Sequence, residues 1–182
     1  MVIKNLANTG EKRMLLRRIL IYGAVFFFLG VAQCAFFSYL KPFGATPNIT
    51  LGALCAVIML DNKKSAAVCA IAAGYFIDSL GAVPPSFSPL FYLICIAVLG
   101  KVSDKMMPRF VSFALLMLPA TALNALYTYF SVWFAAKSSP SLSILPSLIL
   151  PEMLSTFVFC LPIYFLIKLC VLPIEDKGRI TL

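Results

Sequence analysis

From Phe110 to Phe134 the chain runs 25 residues without a charged side chain, and from Ile19 to Tyr39 it runs 21. A helix rises about 1.5 Å per residue, so either stretch reaches across the ~30 Å hydrocarbon layer of a bilayer. In lipid the backbone must satisfy its own hydrogen bonds, and a helix does so within one segment. The runs therefore imply an all-α integral membrane protein. Composition points the same way. The chain is 62% hydrophobic and 12% charged, with mean hydropathy +0.98. Soluble domains carry about 25% charged residues, so a water-facing surface could not be built from this chain.

Punctuation between apolar runs sets the number of spans. Lys41-Pro42-Phe43-Gly44 ends the first run, and Pro47-Asn48 opens a short one, with Pro47 suited to a first helical turn. Asp61-Asn62-Lys63-Lys64 is a polar turn, and Gly81–Ser86 is an uncharged breaker. The reading is a six-helix bundle over residues 19–170, with spans at about 19–40, 49–60, 65–80, 88–100, 110–134 and 145–169. A basic cytoplasmic arm, 1–18, precedes it and a cytoplasmic tail, 171–182, follows. Spans 49–60 and 88–100 are short for a full crossing. Pro119 is expected to kink the fifth span. The first run is too long for the h-region of a cleaved signal, and Gln33 stands where a lipoprotein signal needs a small residue.

Charge placement orients the bundle. With both termini inside, thirteen of the fifteen Lys and Arg residues fall on the cytoplasmic side and only Lys41 and Lys137 outside. That is the bias membrane insertion imposes. Basic inner loops of this kind also meet anionic lipids. The net charge of +8 is thus spent on topology, and no nucleic-acid partner is expected. The sequence contains no histidine, which removes the commonest general base and metal ligand. Its six cysteines form no CxxC pair and read as small buried hydrophobes. Neither a metal nor a cofactor is expected, and no nucleophile or phosphate loop accompanies the acids.

Ser65–Leu80 is expected to be the helix around which the others gather. Ala66, Ala70, Gly74 and Asp78 recur every four residues, which strips one side of bulk and ends it in a carboxylate. Small residues let helices approach closely in lipid, where apolar burial gives no drive. Asp78 is the strongest functional candidate, since an acid in such a segment marks a site by default. Capping the helix end or touching a partner is weighed there beside ion or substrate handling. Glu152, next to Pro151, suits the first turn of a restarted helix. Gln33 and Asn124 read as interhelical glue.

Pro47-Asn48-Ile49 opening a span, then Gly74-Tyr75-Phe76-Ile77-Asp78-Ser79-Leu80-Gly81, then Ser88-Pro89-Leu90 and an apolar run to Gly100, resemble the bacterial rod shape-determining MreD family. The likeness covers about residues 47–100, and the outer thirds agree in hydropathy alone. The chain differs in its Pro84-Pro85 pair. The resemblance implies a non-catalytic scaffold subunit of the cell-elongation complex in the bacterial inner membrane, supporting peptidoglycan synthesis and cell shape. It implies direct binding of MreC, in a complex with MreB, RodA and a class B penicillin-binding protein. It also implies a fold similar to the six-helix substrate-binding subunits of energy-coupling-factor vitamin transporters. Such a vitamin-binding subunit is the alternative function. Against it, few polar residues stand where they would line a vitamin pocket.

Overall fold

The computed structural model describes residues 2–61, 63–80, 88–136 and 149–179, with side chains described for 16–61, 63–80, 88–131 and 149–170. Among the described residues every regular element is helical. The elements are α1 (Val2–Val31), a π-helical stretch (Ala32–Phe37), α2 (Ser38–Leu40), a 3-10 turn (Pro42–Gly44), α3 (Ile49–Leu60), α4 (Lys63–Leu80), α5 (Ser88–Ser103), α6 (Phe110–Ala136) and α7 (Leu150–Arg179). Three stretches are long and apolar enough to cross a membrane: Leu16–Leu40, Phe110–Ser131 and Leu150–Cys170.

Helices occupy the described parts of the six stretches read as spans, with shifted bounds, but the helix over 65–80 is not among the three long and apolar enough to cross. The basic arm does not stand apart, since α1 begins at Val2 and carries it. Likewise α7 runs on to Arg179 through most of the expected tail. Glycine and lysine at 100 and 101 do not stop α5, which continues to Ser103. α6 runs through Pro119 as one helix. The start expected at 145 lies outside the described residues as far as 148. Lys41 closes α2 in the left-handed conformation, φ 40°, where glycine is the usual residue, and Gly44 reaches φ 84° three residues later. These residues turn the chain from α2 toward α3.

The expectation of a central Ser65–Leu80 helix is corrected by the packing. The centre is α3, which touches α1, α4, α5, α6 and α7. Every residue from Ile49 to Met59 is buried. Its twelve residues span about 18 Å, less than the depth of a bilayer core. Apolar side chains all round are what such a position requires. Leu51, Leu54 and Val57 of α3 meet a core built from Tyr92 and Leu99, Phe113 and Leu116, and Tyr164 and Ile167. α4 instead turns one face outward, with Val68 and Tyr75 about two-thirds exposed. Exposed leucine, isoleucine, valine and phenylalanine recur along α1, α5, α6 and α7 as well. A protein facing water does not present apolar bands of this extent.

Two glycines set the closest helix approaches. A Cβ at Gly74 would lie 2.5 Å from Cα and N of Pro89, so α4 and α5 meet backbone to backbone there. A Cβ at Gly52 would collide with Cys160 of α7. At the far end of α3, Asp61 accepts from Arg18 Nη1 at 3.2 Å and from Tyr22 OH at 2.9 Å. Lys63 pairs with Asp104 beside it. These contacts tie α1 and α5 to the α3–α4 turn.

Candidate functional site

The N-terminus of α3 ends inside the bundle, and this dictates the chemistry around it. The first amides of a helix have no intrahelical partner, and a buried one must find an acceptor elsewhere. Three side chains supply acceptors. Thr156 Oγ1 accepts from Asn48 N at 3.0 Å, Gln33 Oε1 from Thr50 N at 3.0 Å, and Asn48 Oδ1 from Leu51 N at 3.1 Å. Asn48 is therefore the N-cap, in the role that short amide side chains fill best. Pro47, expected inside the first turn, precedes the cap and is buried. Gln33 comes from the π-helical stretch that follows α1.

From Asn48 a line of hydrogen bonds runs across the bundle. Tyr92 OH also donates to Asn48 Oδ1, at 3.1 Å. Asn48 Nδ2 donates to Asn124 Oδ1 at 2.7 Å, and Asn124 Nδ2 donates to Glu152 Oε1 at 2.7 Å. Thr128 Oγ1 donates to the same Glu152 oxygen at 2.9 Å. Every amide in the line donates toward Glu152, so the carboxylate is its final acceptor. Glu152 lies in the first turn of α7, where the helix dipole favours a negative charge. Asn124 and Thr156 are buried, while Asn48 and Glu152 are half-buried. Cys160 Sγ approaches Asn48 O at 3.6 Å, and Ser88 and Tyr127 share a 3.2 Å bond nearby in sequence to Tyr92 and Asn124.

Two atoms stand outside this accounting. Thr50 Oγ1, in the first turn of α3, is fully buried without a hydrogen-bond partner among the described residues. Glu152 Oε2 likewise takes part in none of the hydrogen bonds or ion pairs of the described residues. The first loses hydration with no return. The second is a carboxylate oxygen without a partner among the described residues.

The sequence candidates separate into two groups. Asn48 and Glu152 are brought together through Asn124, and Pro47 precedes Asn48 in the chain. Ala66, Ala70 and Gly74 lie elsewhere, buried on the inner side of α4. At Gly74 that side meets α5 of the same chain through Pro89. Asp78 sits half-buried in the last turn of α4, next to Ser79, whose Oγ donates to Tyr75 O. Tyr92, Thr128 and Thr156 do not stand out in the sequence read residue by residue. Asn124 with Thr128, and Glu152 with Thr156, are polar pairs four apart on apolar helices. That spacing puts each pair on one face and was the available signal.

The arrangement can brace helices and can accept a hydrogen bond at Glu152. Among the described residues no group of three or more His, Cys, Asp or Glu side chains is placed to hold a metal ion. No protein-family model, curated protein or solved structure matches the chain.

Proposed function

We propose that the chain is a six-span, non-catalytic scaffold subunit of the bacterial cell-elongation complex, set in the inner membrane with both termini cytoplasmic and binding an MreC-type protein. The resemblance over residues 47–100 suggests this role. The observation that carries it best is the brace itself. Asn48, Gln33, Asn124, Thr128 and Thr156 bond helices to one another around α3, buried from Ile49 to Met59. A bundle tied in this way offers a stiff platform with fixed outer faces. Apolar bands on α1, α4, α5, α6 and α7 suit contact with lipid and with partner helices.

Co-expression with a tagged MreC-type partner tests the proposal. Stoichiometric co-purification in mild detergent is the expected result, and no recovery of the chain at several detergent strengths overturns it. Reporter fusions at Lys41 and Lys137 should report periplasm, and fusions near Lys63 and Lys105 cytoplasm. The reverse pattern would refute the topology. A vitamin retained one-to-one through purification would favour the transporter subunit instead.

A further inference from the structure

Among the described residues Glu152 Oε2 is the acceptor left over, and its surroundings restrict what it can take. Oε1 is held by Asn124 Nδ2 and Thr128 Oγ1, so the carboxylate cannot swing to a new partner without losing two bonds. The amide line from Asn48 keeps it a pure acceptor. The two ion pairs among the described residues, Arg18–Asp61 and Lys63–Asp104, lie at the opposite end of α3 and supply it no cation. The residue is half-buried on the core-facing side of α7, between buried Ile149 and buried Ser155 and Thr156. Its place in the first turn of α7 puts it at the bundle end that carries Asn48.

A dehydrated metal ion is a poor fit. Hard cations want about six oxygen ligands, and here the one carboxylate has a single oxygen to spare. A primary ammonium fits better. It carries three donors and a full charge, and one strong bond to a carboxylate oxygen anchors it. Thr128 Oγ1, whose proton goes to Glu152, keeps lone pairs for a second donor.

We propose that Glu152 Oε2 is the anchor of a binding site for a primary ammonium group, entering at the Asn48 end of the bundle. Two sources carry this chemistry: the headgroup of phosphatidylethanolamine and a soluble primary amine. The site is independent of the scaffold reading and stands whether or not a protein partner is captured.

The test uses the full chain and native mass spectrometry of lipid adducts. Phosphatidylethanolamine is compared with phosphatidylcholine, which keeps the charge but has no N–H donors. The wild-type protein should retain phosphatidylethanolamine at least about 10-fold better, the gain expected from one charge-assisted hydrogen bond. Glu152→Gln keeps an acceptor for Asn124 and Thr128 while removing the charge. It should melt close to wild type and lose the preference. Glu152→Asp, which keeps the charge but shortens its reach, should weaken it. In a second arm, glycerophosphoethanolamine and ethanolamine are added to lipid-free protein. Stabilisation by these that is lost in Glu152→Gln identifies a soluble amine as the ligand. Equal retention of the two lipids together with no response to the soluble amines overturns the proposal. So does a preference that survives in Glu152→Gln, or stabilisation by sodium chloride in place of the amine.

Discussion

Asn48→Asp separates a simple helix cap from a directed line of hydrogen bonds. As caps, aspartate and asparagine are equivalent, so capping alone leaves the variant near wild type. The line of bonds gives a different answer. One oxygen of the new carboxylate keeps the bonds from Leu51 N and Tyr92 OH. The other replaces Nδ2, which sits 2.7 Å from Asn124 Oδ1, and brings acceptor against acceptor. Turning the Asn124 amide over only moves the clash to Glu152 Oε1, also 2.7 Å away. An unmade bond at a buried group costs about 1–3 kcal/mol. A second negative charge two links from Glu152 raises the total to roughly 3 kcal/mol. For a chain of this size that is about 6–12 °C in melting temperature, measurable in detergent by intrinsic fluorescence or size-exclusion recovery. The line also predicts its own rescue. With Glu152→Gln added, both amides can turn over, each donating one step toward position 48. The double variant should then regain at least about 1 kcal/mol over Asn48→Asp, a coupling a double-mutant cycle reads directly. If Asn48→Asp melts with wild type, or if Glu152→Gln adds its own loss without rescue, the directed line is refuted.

Gly74→Leu should abolish the monodisperse peak in size-exclusion chromatography, because even a Cβ meets the Pro89 backbone at 2.5 Å. A folded variant would mean that α4 and α5 are farther apart. Thr50→Val keeps the bond from its amide to Gln33 and deletes a buried hydroxyl with no described partner, so it should be neutral or raise the melting temperature. A loss of more than about 1 kcal/mol would reveal a partner for that hydroxyl. Asp61→Ala should cost more than Arg18→Gln, since it also orphans the hydroxyl of buried Tyr22. The arginine side chain is about a third exposed, and its pair is worth under about 1 kcal/mol. Equal losses in thermal melts would show that the ion pair alone matters.

Helix positions were legible because apolar runs and their punctuation are one-dimensional signals. Asn48 was legible as a helix opener, and Glu152 as a first-turn acid beside Pro151. Their connection was not, because it passes through Asn124, which lies 76 residues from Asn48 and 28 from Glu152. In the sequence Gln33 reads only as general glue, and its acceptor role at Thr50 N depends on where the π-helical stretch lays it.

The sequence by itself determined that the chain is helical and that its first, fifth and sixth apolar runs are long enough to cross a membrane. Only the tertiary structure decided that short α3 is the centre and that α4 lies beside it with one face outward. In a soluble helix the buried face is the apolar one, and periodicity reveals it. Where both the core and the surroundings of a helix are apolar, hydropathy does not tell one face from the other. The small residues of α4 mark a close contact, but not with whom. The few polar side chains mark the interior, but only the fold brings them to the one buried helix end that needs them.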